Sequence, residues 1–389
     1  VDLTRVVAPR GTPAPGRGRV VAVDVARALA LLGMFAAHLV PARDPRSARG
    51  VDPLFELVAG RSSALFAVLA GVGIGLATRD VLRGVSGHRR RLLVRALLVA
   101  VLGLWLGLFG SGLAVILTFY GVLFCCALPV LHWGPGRLAA LAVGWGLLSP
   151  VVSLLLRREL GPPQPVVPSL VSLTEPVVLA RELLLTGYYP VLTWATYLFV
   201  GLAVGRLDLR RAAWGPRLAL VGAWTAALAL AVSAGLTRAE GPRADLVASW
   251  WRPGTPWPEL VVELRRGMYG VHPTGSPWWL GVWSPHSGSV ADLAHTAGTA
   301  LLVLGLVLVL VRLLPRAPWV VLAGAGSTTL TLYTTHVLVM ASPLGVGGPG
   351  ALALHALAAL VVGAAFARAG VRGPLEAGVA ALTRQVPLR

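Results

Sequence analysis

The sequence predicts an all-α, polytopic membrane protein of about ten transmembrane helices, on three observations. Of 389 residues, 56% are apolar and 13% charged, with a mean hydropathy of +0.75, whereas soluble domains are about one quarter charged. Ten apolar runs are long enough, at about 1.5 Å per helical residue, to cross about 30 Å of hydrocarbon. All 34 basic residues are arginine and none is lysine, a codon effect of a GC-rich genome, and they gather in short segments between the runs. The formal charge of +18 therefore reads as positive-inside topology and not as a nucleic-acid surface.

Residues 1–19 are a Pro/Gly/Arg segment with nothing to bury, expected to be a disordered cytoplasmic tail. The apolar runs lie near 20–40, 54–77, 91–109, 112–131, 137–156, 187–205, 215–236, 293–314, 319–341 and 349–369. The fourth and sixth are the least regular, because both hold polar or aromatic groups. Residues 20–376 read as a single transmembrane domain with outer loops 157–186 and 237–292, and residues 377–389 as a cytoplasmic tail.

Arginine counting sets the expected orientation. Arg5, Arg10, Arg17 and Arg19 share a side with Arg79, Arg83, Arg89, Arg90, Arg91 and Arg95, then with Arg137, Arg206, Arg210, Arg211, Arg217, Arg312 and Arg316. The opposite loops hold fewer arginines, diluted by acids such as Asp44, Asp52, Glu159, Glu259 and Glu263. Both termini are expected in the cytoplasm. The arginine-rich start imitates a signal peptide. The run behind it is too long, holds Asp24 and Arg27 and lacks a small-residue cleavage site, so a retained span is expected. Cys125 and Cys126 are adjacent in an apolar run and are expected to pack as small hydrophobes. Loop 157–186 is Pro-rich. Loop 237–292 holds six tryptophans (Trp250, Trp251, Trp257, Trp278, Trp279, Trp283) and the pattern PELVVELRRGMYG. Interfacial anchoring with a helix lying on the membrane is one reading of it, and a carbohydrate-stacking platform the other.

Chemistry concentrates in the first run, VVAVDVARALALLGMFAAHLVP. Helical spacing puts Asp24, Arg27 and His38 on one stripe, with Leu31 and Met34 between them. Charged groups cost several kcal/mol or more in hydrocarbon, so three in one span should face the interior and mark a site. The plainer alternative is an Asp24–Arg27 pair holding the bundle, with His38 reaching the interface. Arg61, followed by Ser62 and Ser63, opens the second span and is either a snorkelling cation or a cation in the reaction cavity. Gly71, Gly73 and Gly75 do not form a dinucleotide fingerprint, and small residues four apart fit close helix packing better. Tyr120, Tyr188, Tyr189, Trp194 and Tyr197 put polar-tipped aromatics at or within spans, as interface belt or cavity lining. Ser327, Tyr333 and His336 lie in the ninth run, and His286, Ser287 and His295 in or beside the large outer loop. The eight histidines are scattered without metal-ligand spacing, so no metal is expected, and neither a Gly-x-Ser-x-Gly elbow nor a phosphate loop occurs.

Arg27, ten residues, then His38 resembles the first-span signature of the acyltransferase-3 family. The wording DVARALALLGMFAAH is closer to heparan-α-glucosaminide N-acetyltransferase-like proteins, with Ala28 where those usually have Gly. GRSSALF at 60–66 resembles their G-K/R-x-x-x-L-F second span. Ser327, Tyr333 and His336 resemble a Ser/Tyr/His span near the end of acyltransferase-3 proteins, and Gly373-Pro374-Leu375-Glu376 the closing segment of one branch. The Gly-Pro pair also reads as a helix start. The resemblance implies a plasma-membrane enzyme of a bacterium that moves an acyl group, acetyl in the first instance, from cytoplasmic acyl-CoA to a hydroxyl or amine of an outward-facing glycan or lipid. It implies His38, Arg27 and Asp24 as catalytic residues and Arg27, Arg61 and Ser62 around the acetyl-CoA donor. Tyr120, Tyr189, Trp194, His286 and His336 would then meet the acceptor. The partners are membrane lipids, acyl-CoA and a glycan or glycolipid acceptor, with a homodimer left open. A transporter or lipid flippase is the rival, since it too wants intramembrane Asp, Arg and His. No internal repeat supports it.

Overall fold

The first apolar run forms α1, Val21–Leu39, at the centre of the computed structural model, which describes residues 20–388. The expected disordered tail, 1–19, lies outside the described residues. A short helix, α2 (Pro53–Val58), leads into α3 (Arg61–Ala77), and α4 (His88–Leu106), α5 (Leu117–Cys125) and α6 (Pro135–Leu156) follow. Next come α7 (Pro176–Arg181), α8 (Val191–Arg206) and α9 (Trp214–Arg238), then two short helices, α10 (Glu240–Ala248) and α11 (Trp257–Arg266). The last are α12 (Val290–Leu313), α13 (Arg316–Ser327), α14 (Thr329–Met340), α15 (Pro349–Ala369) and α16 (Pro374–Arg384).

The protein is all-helical and polytopic. Among the described residues seven helices are long and apolar enough to cross a membrane, and an eighth if a bent pair counts as one span. The ten apolar runs are all helical, but three are broken or short. The fourth yields only Leu117–Val130, after Gly110 and Gly112 turn the chain with positive φ. The sixth is the second half of the bent pair, Pro176–Thr186 and Val191–Arg206, at 53°. Its break, at residues 187–190, presents Tyr188 and Tyr189. The ninth divides at Thr328, whose hydroxyl bonds back to Gly324 O (3.1 Å) and Ala325 O (3.2 Å), a competition that bends helices. Beyond the division Glu376 caps α14, accepting the N–H of Leu330 (2.7 Å) and Thr331 (3.1 Å) and the Thr331 hydroxyl (2.6 Å). A carboxylate there satisfies orphan donors and complements the helix dipole. The Gly-Pro-Leu-Glu segment thus begins α16, as expected, and its Glu fixes the start of α14.

Small residues set the helix contacts. Gly71 and Gly75 on α3 face Gly201 and Gly205 on α8 so closely that a Cβ on Gly75 would stand 2.9 Å from Gly205 Cα. Gly222 on α9 meets Gly298 on α12 in the same way, and Gly215 meets Gly305. Gly326 on α13 rests on the backbone of α1 at Asp24 and Ala28. Cys125 and Cys126, both half-buried, pack against the main core.

Loop 237–292 folds into a cap with its own core of Leu246, Trp250, Leu260, Leu264, Met268, Trp279 and Val282. Trp279 is fully buried and donates its Nε1–H to Ser249 Oγ at 2.9 Å, while Trp278 stays exposed. The amphipathic α11 turns Leu260 and Leu264 into this core. Its charged face pairs Glu263 with Arg43, Arg252 and Arg266, and Arg265 with Glu56. Tyr269 ties the cap to the Pro-rich loop through a 3.0 Å bond to Val166 O.

Candidate functional site

A cavity of about 330 Å³ opens where the C-terminal end of α1, the N-terminal end of α3, the break before α8 and the cap converge. His38 on α1 faces it together with Ser62, Ser63, Tyr188, Tyr189, Arg266, Tyr269 and His286. Each wall has a local cause. Gly33 leaves room for Ser62, whose side chain a Cβ there would strike. Gly60, at φ +71°, precedes α3 and lies against Pro285, 3.1 Å from the position its Cβ would take.

His38 Nδ1 is 3.0 Å from His336 Nε2 on α14, and the two rings stack at 5.3 Å. His336 Nδ1 is in turn 3.0 Å from His355 Nδ1 on α15, with Phe35 packed on the His336 ring at 4.3 Å. His336 is 2% exposed.

Across the cavity His286 has φ +58°, the left-handed region where a side chain is strained, alone in this among the non-glycine described residues. Its ring packs on Tyr188 at 4.4 Å and stacks over Trp194 at 6.2 Å, and its Nδ1 has no hydrogen-bond partner among the described residues. The loop that strains it is held by Asp292, in the first turn of α12. Oδ2 of this buried carboxylate accepts the Gly288 N–H at 3.1 Å, and its own N–H is capped by Ser289 Oγ at 3.0 Å. Burial and the nearby His38 depress the His286 imidazole to about 3, so it stays neutral at working pH. Burial and the Glu182 charge raise the Tyr269 phenol to about 12.

Asp24 and Arg27 lie at the other end of α1, joined at 3.1 Å. Gly73 on α3 faces the guanidinium and has no side chain to displace it. Eleven residues of helix, about 16 Å, separate Arg27 from His38. Arg61 turns away from the cavity. It donates to the carbonyls of Glu56 (2.7 Å) and Leu57 (3.2 Å), closing α2, gives its Nε–H to His295 Nε2 at 3.0 Å and lies over Trp283. His295 donates its Nδ1–H to Ala226 O, so its tautomer is settled by a carbonyl. Tyr120 sits in the packed core, its hydroxyl on Ser63 O at 3.4 Å.

Of the residues the sequence singled out, His38, Ser62, Ser63, Tyr188, Tyr189 and His286 thus meet at the cavity. Trp194 backs His286 and His336 backs His38. Asp24, Arg27, Arg61 and Tyr120 stand apart. The sequence reading missed Asp292, Tyr269 and His355. An ionisable group in the tenth run was a signal for His355. Nothing local marked Tyr269.

The cap carries a testable pH response. His272 is 1% exposed, gives its Nδ1–H to Pro273 O at 2.7 Å, and is held down to about 3 by burial and then by the Arg157 charge. The unfolded imidazole takes its proton near 6.5. Stability is therefore full above that pH and is lost as pH falls towards 3, by about 3 kcal/mol at pH 4.5. Thermal unfolding at pH 7 and 4.5 is expected to show the loss, and His272→Gln to reduce it.

No curated protein matches the chain. Residues 19–235, more than half of it, match the family model described as heparan-alpha-glucosaminide N-acetyltransferase, catalytic. The match covers α1 to α8 and most of α9, with His38, Ser62 and Tyr189, and stops short of the cap and α12 to α16. The chain belongs to the heparan-alpha-glucosaminide N-acetyltransferase catalytic family and is a multi-pass membrane acetyltransferase.

Proposed function

We infer that the protein moves an acetyl group from cytoplasmic acetyl-CoA to a hydroxyl or amine of an extracytoplasmic glycan or lipid, with His38 as general base. The observation that carries this is the placement of His38: it faces the cavity while Nδ1 is engaged by His336, which leaves Nε2 as the nitrogen to meet an acceptor. Neutral imidazole is the usual proton acceptor near pH 7. The donor would enter from the opposite end of α1, where Arg27 holds a phosphate and Asp24 orients Arg27. The span of about 16 Å between Arg27 and His38 is of the order of an extended pantetheine arm. Tyr189 and His286 would position the acceptor. Ser62 would lie beside the arriving thioester.

Purified protein incubated with radiolabelled acetyl-CoA and a cell-envelope extract is expected to label a glycan or lipid. A label that stays on water-soluble small molecules would reject the acceptor class. Arg27→Ala is expected to weaken coenzyme A binding at least tenfold by calorimetry, and Arg27→Lys to restore part, since a point charge loses the fork geometry. Unchanged affinity in Arg27→Ala would leave Arg27 as a structural partner of Asp24. The arginine asymmetry supports cytoplasmic termini with the cap outside, in a bacterial plasma membrane. Ala244→Cys is then expected to react with an impermeant thiol reagent on intact cells, and Ser86→Cys not to react.

A further inference from the structure

We propose that His336 and His355 conduct protons to and from His38, the three imidazoles acting as one relay out of the cavity; this rests on His38 being the base of the transfer. The three come from α1, α14 and α15, and each contact joins two ring nitrogens at 3.0 Å. Each link therefore needs one proton between two atoms that can both hold it. The structural histidines of this chain are built otherwise: His272 and His295 each tie Nδ1 to a backbone carbonyl, which fixes the tautomer. His336 has both nitrogens committed to other imidazoles, so the rings form a line and do not converge on one point as metal ligands would. Among the described residues no group of three suits a metal ion.

Two proton arrangements satisfy both links. In the outward one, His38 Nδ1–H donates to His336 Nε2, His336 Nδ1–H donates to His355 Nδ1, and His355 carries its remaining proton on Nε2. This leaves a lone pair on His38 Nε2. The inward arrangement reverses every link and puts a proton on His38 Nε2. One concerted shift converts the first into the second. The acceptor's proton arrives at His38 Nε2, one proton moves across each link, and His355 releases its Nε2 proton. The acceptor oxygen or nitrogen, now carrying the electron pair, forms the bond to the acetyl carbon as the carbon–sulfur bond breaks. The coenzyme A thiolate then takes the His38 Nε2 proton, His355 takes one from outside, and the outward arrangement returns. Every imidazole begins and ends neutral. A lone His38 would have to hold a cation within the span, which low-dielectric surroundings penalise. His355, half-buried and six residues from the start of α15 at Pro349, lies near enough to the end of its span to exchange protons at the interface.

The test compares initial rates of label transfer from radiolabelled acetyl-CoA to a saturating envelope extract. Glutamine at 336 can still accept the His38 Nδ1–H through its amide oxygen, preserving the base tautomer, but it cannot pass a proton on. A relay predicts that His336→Gln loses at least about 30-fold in rate, within the range general acid–base catalysis supplies. The KM for acetyl-CoA and the melting temperature should stay near wild type. His355→Gln, at the open end, should lose about tenfold. The wild-type rate should also fall along a curve as the D2O fraction rises, the mark of several protons in flight, and become linear in His355→Gln. Rates for both glutamine variants within threefold of wild type would overturn the relay. If His336→Gln fails to fold, the His355→Gln rate and isotope curve decide. A dead His38→Ala beside fully active glutamine variants removes the relay alone, while an active His38→Ala removes the base assignment as well.

Discussion

Replacing His38 with alanine is expected to lower acetyl transfer by about 10²- to 10⁴-fold while the KM for acetyl-CoA stays within about twofold. An interaction made only in the transition state lowers kcat and kcat/KM together, and a general base is such an interaction. His38→Gln should do no better, because an amide holds a hydrogen bond but cannot take up the proton. Melting temperature separates this from damage to the fold. His38 is half-buried at the cavity wall, one residue from the end of α1, so truncation leaves space next to a space already there. A His38→Ala enzyme transferring label at near the wild-type rate would mean that the imidazole only reaches for the interface.

The second large effect is expected at Gly60. Its φ of +71° with ψ of −39° lies outside the left-handed helical region that some side chains tolerate, which costs about 1–3 kcal/mol in any other residue. A Cβ there would also stand 3.1 Å from Pro285 Cβ and 3.2 Å from Pro285 Cα, pressing on the backbone that carries His286. Overpacking of this kind adds about 1–3 kcal/mol. Gly60→Ala is therefore expected to destabilise the protein by about 2–6 kcal/mol and to slow transfer as His286 is displaced. Gly144→Ala is the control: this helical glycine has nothing within 4 Å and should tolerate a methyl. Equal melting temperatures for the two variants would show that the Gly60 junction carries no strain.

The Gly60 case shows how a sequence pattern and a tertiary contact divide the work. The segment Gly60-Arg61-Ser62-Ser63-Ala64-Leu65-Phe66 stood out as a motif, but its chemistry was open because Arg61 could snorkel or enter the cavity. In the fold Arg61 closes α2, bonds His295 and lies over Trp283, while Ser62 and Ser63 reach the cavity. A pattern of residue types fixes spacing along a helix; it does not say which neighbour fills the space beside each side chain.

What the sequence determined by itself was whatever follows from helical period and transfer energy. Apolar runs had to become helices because unpaired backbone polar groups are too costly in hydrocarbon. Asp24, Arg27 and His38 had to share a stripe of α1, and glycines four apart on α3 had to admit a close partner. Only the tertiary structure decided where runs break, because the causes are distant. Gly326 settles on α1, and Glu376, 46 residues beyond Leu330, caps α14. Likewise the tryptophans of loop 237–292 looked interfacial one by one, and Trp250 and Trp279 entered a core only because α10 and α11 folded around them. The contact that gives His38 its partner joins residues 298 apart in the chain. No local period carries information over that distance, since side chains so far apart meet through the packing of every helix between them.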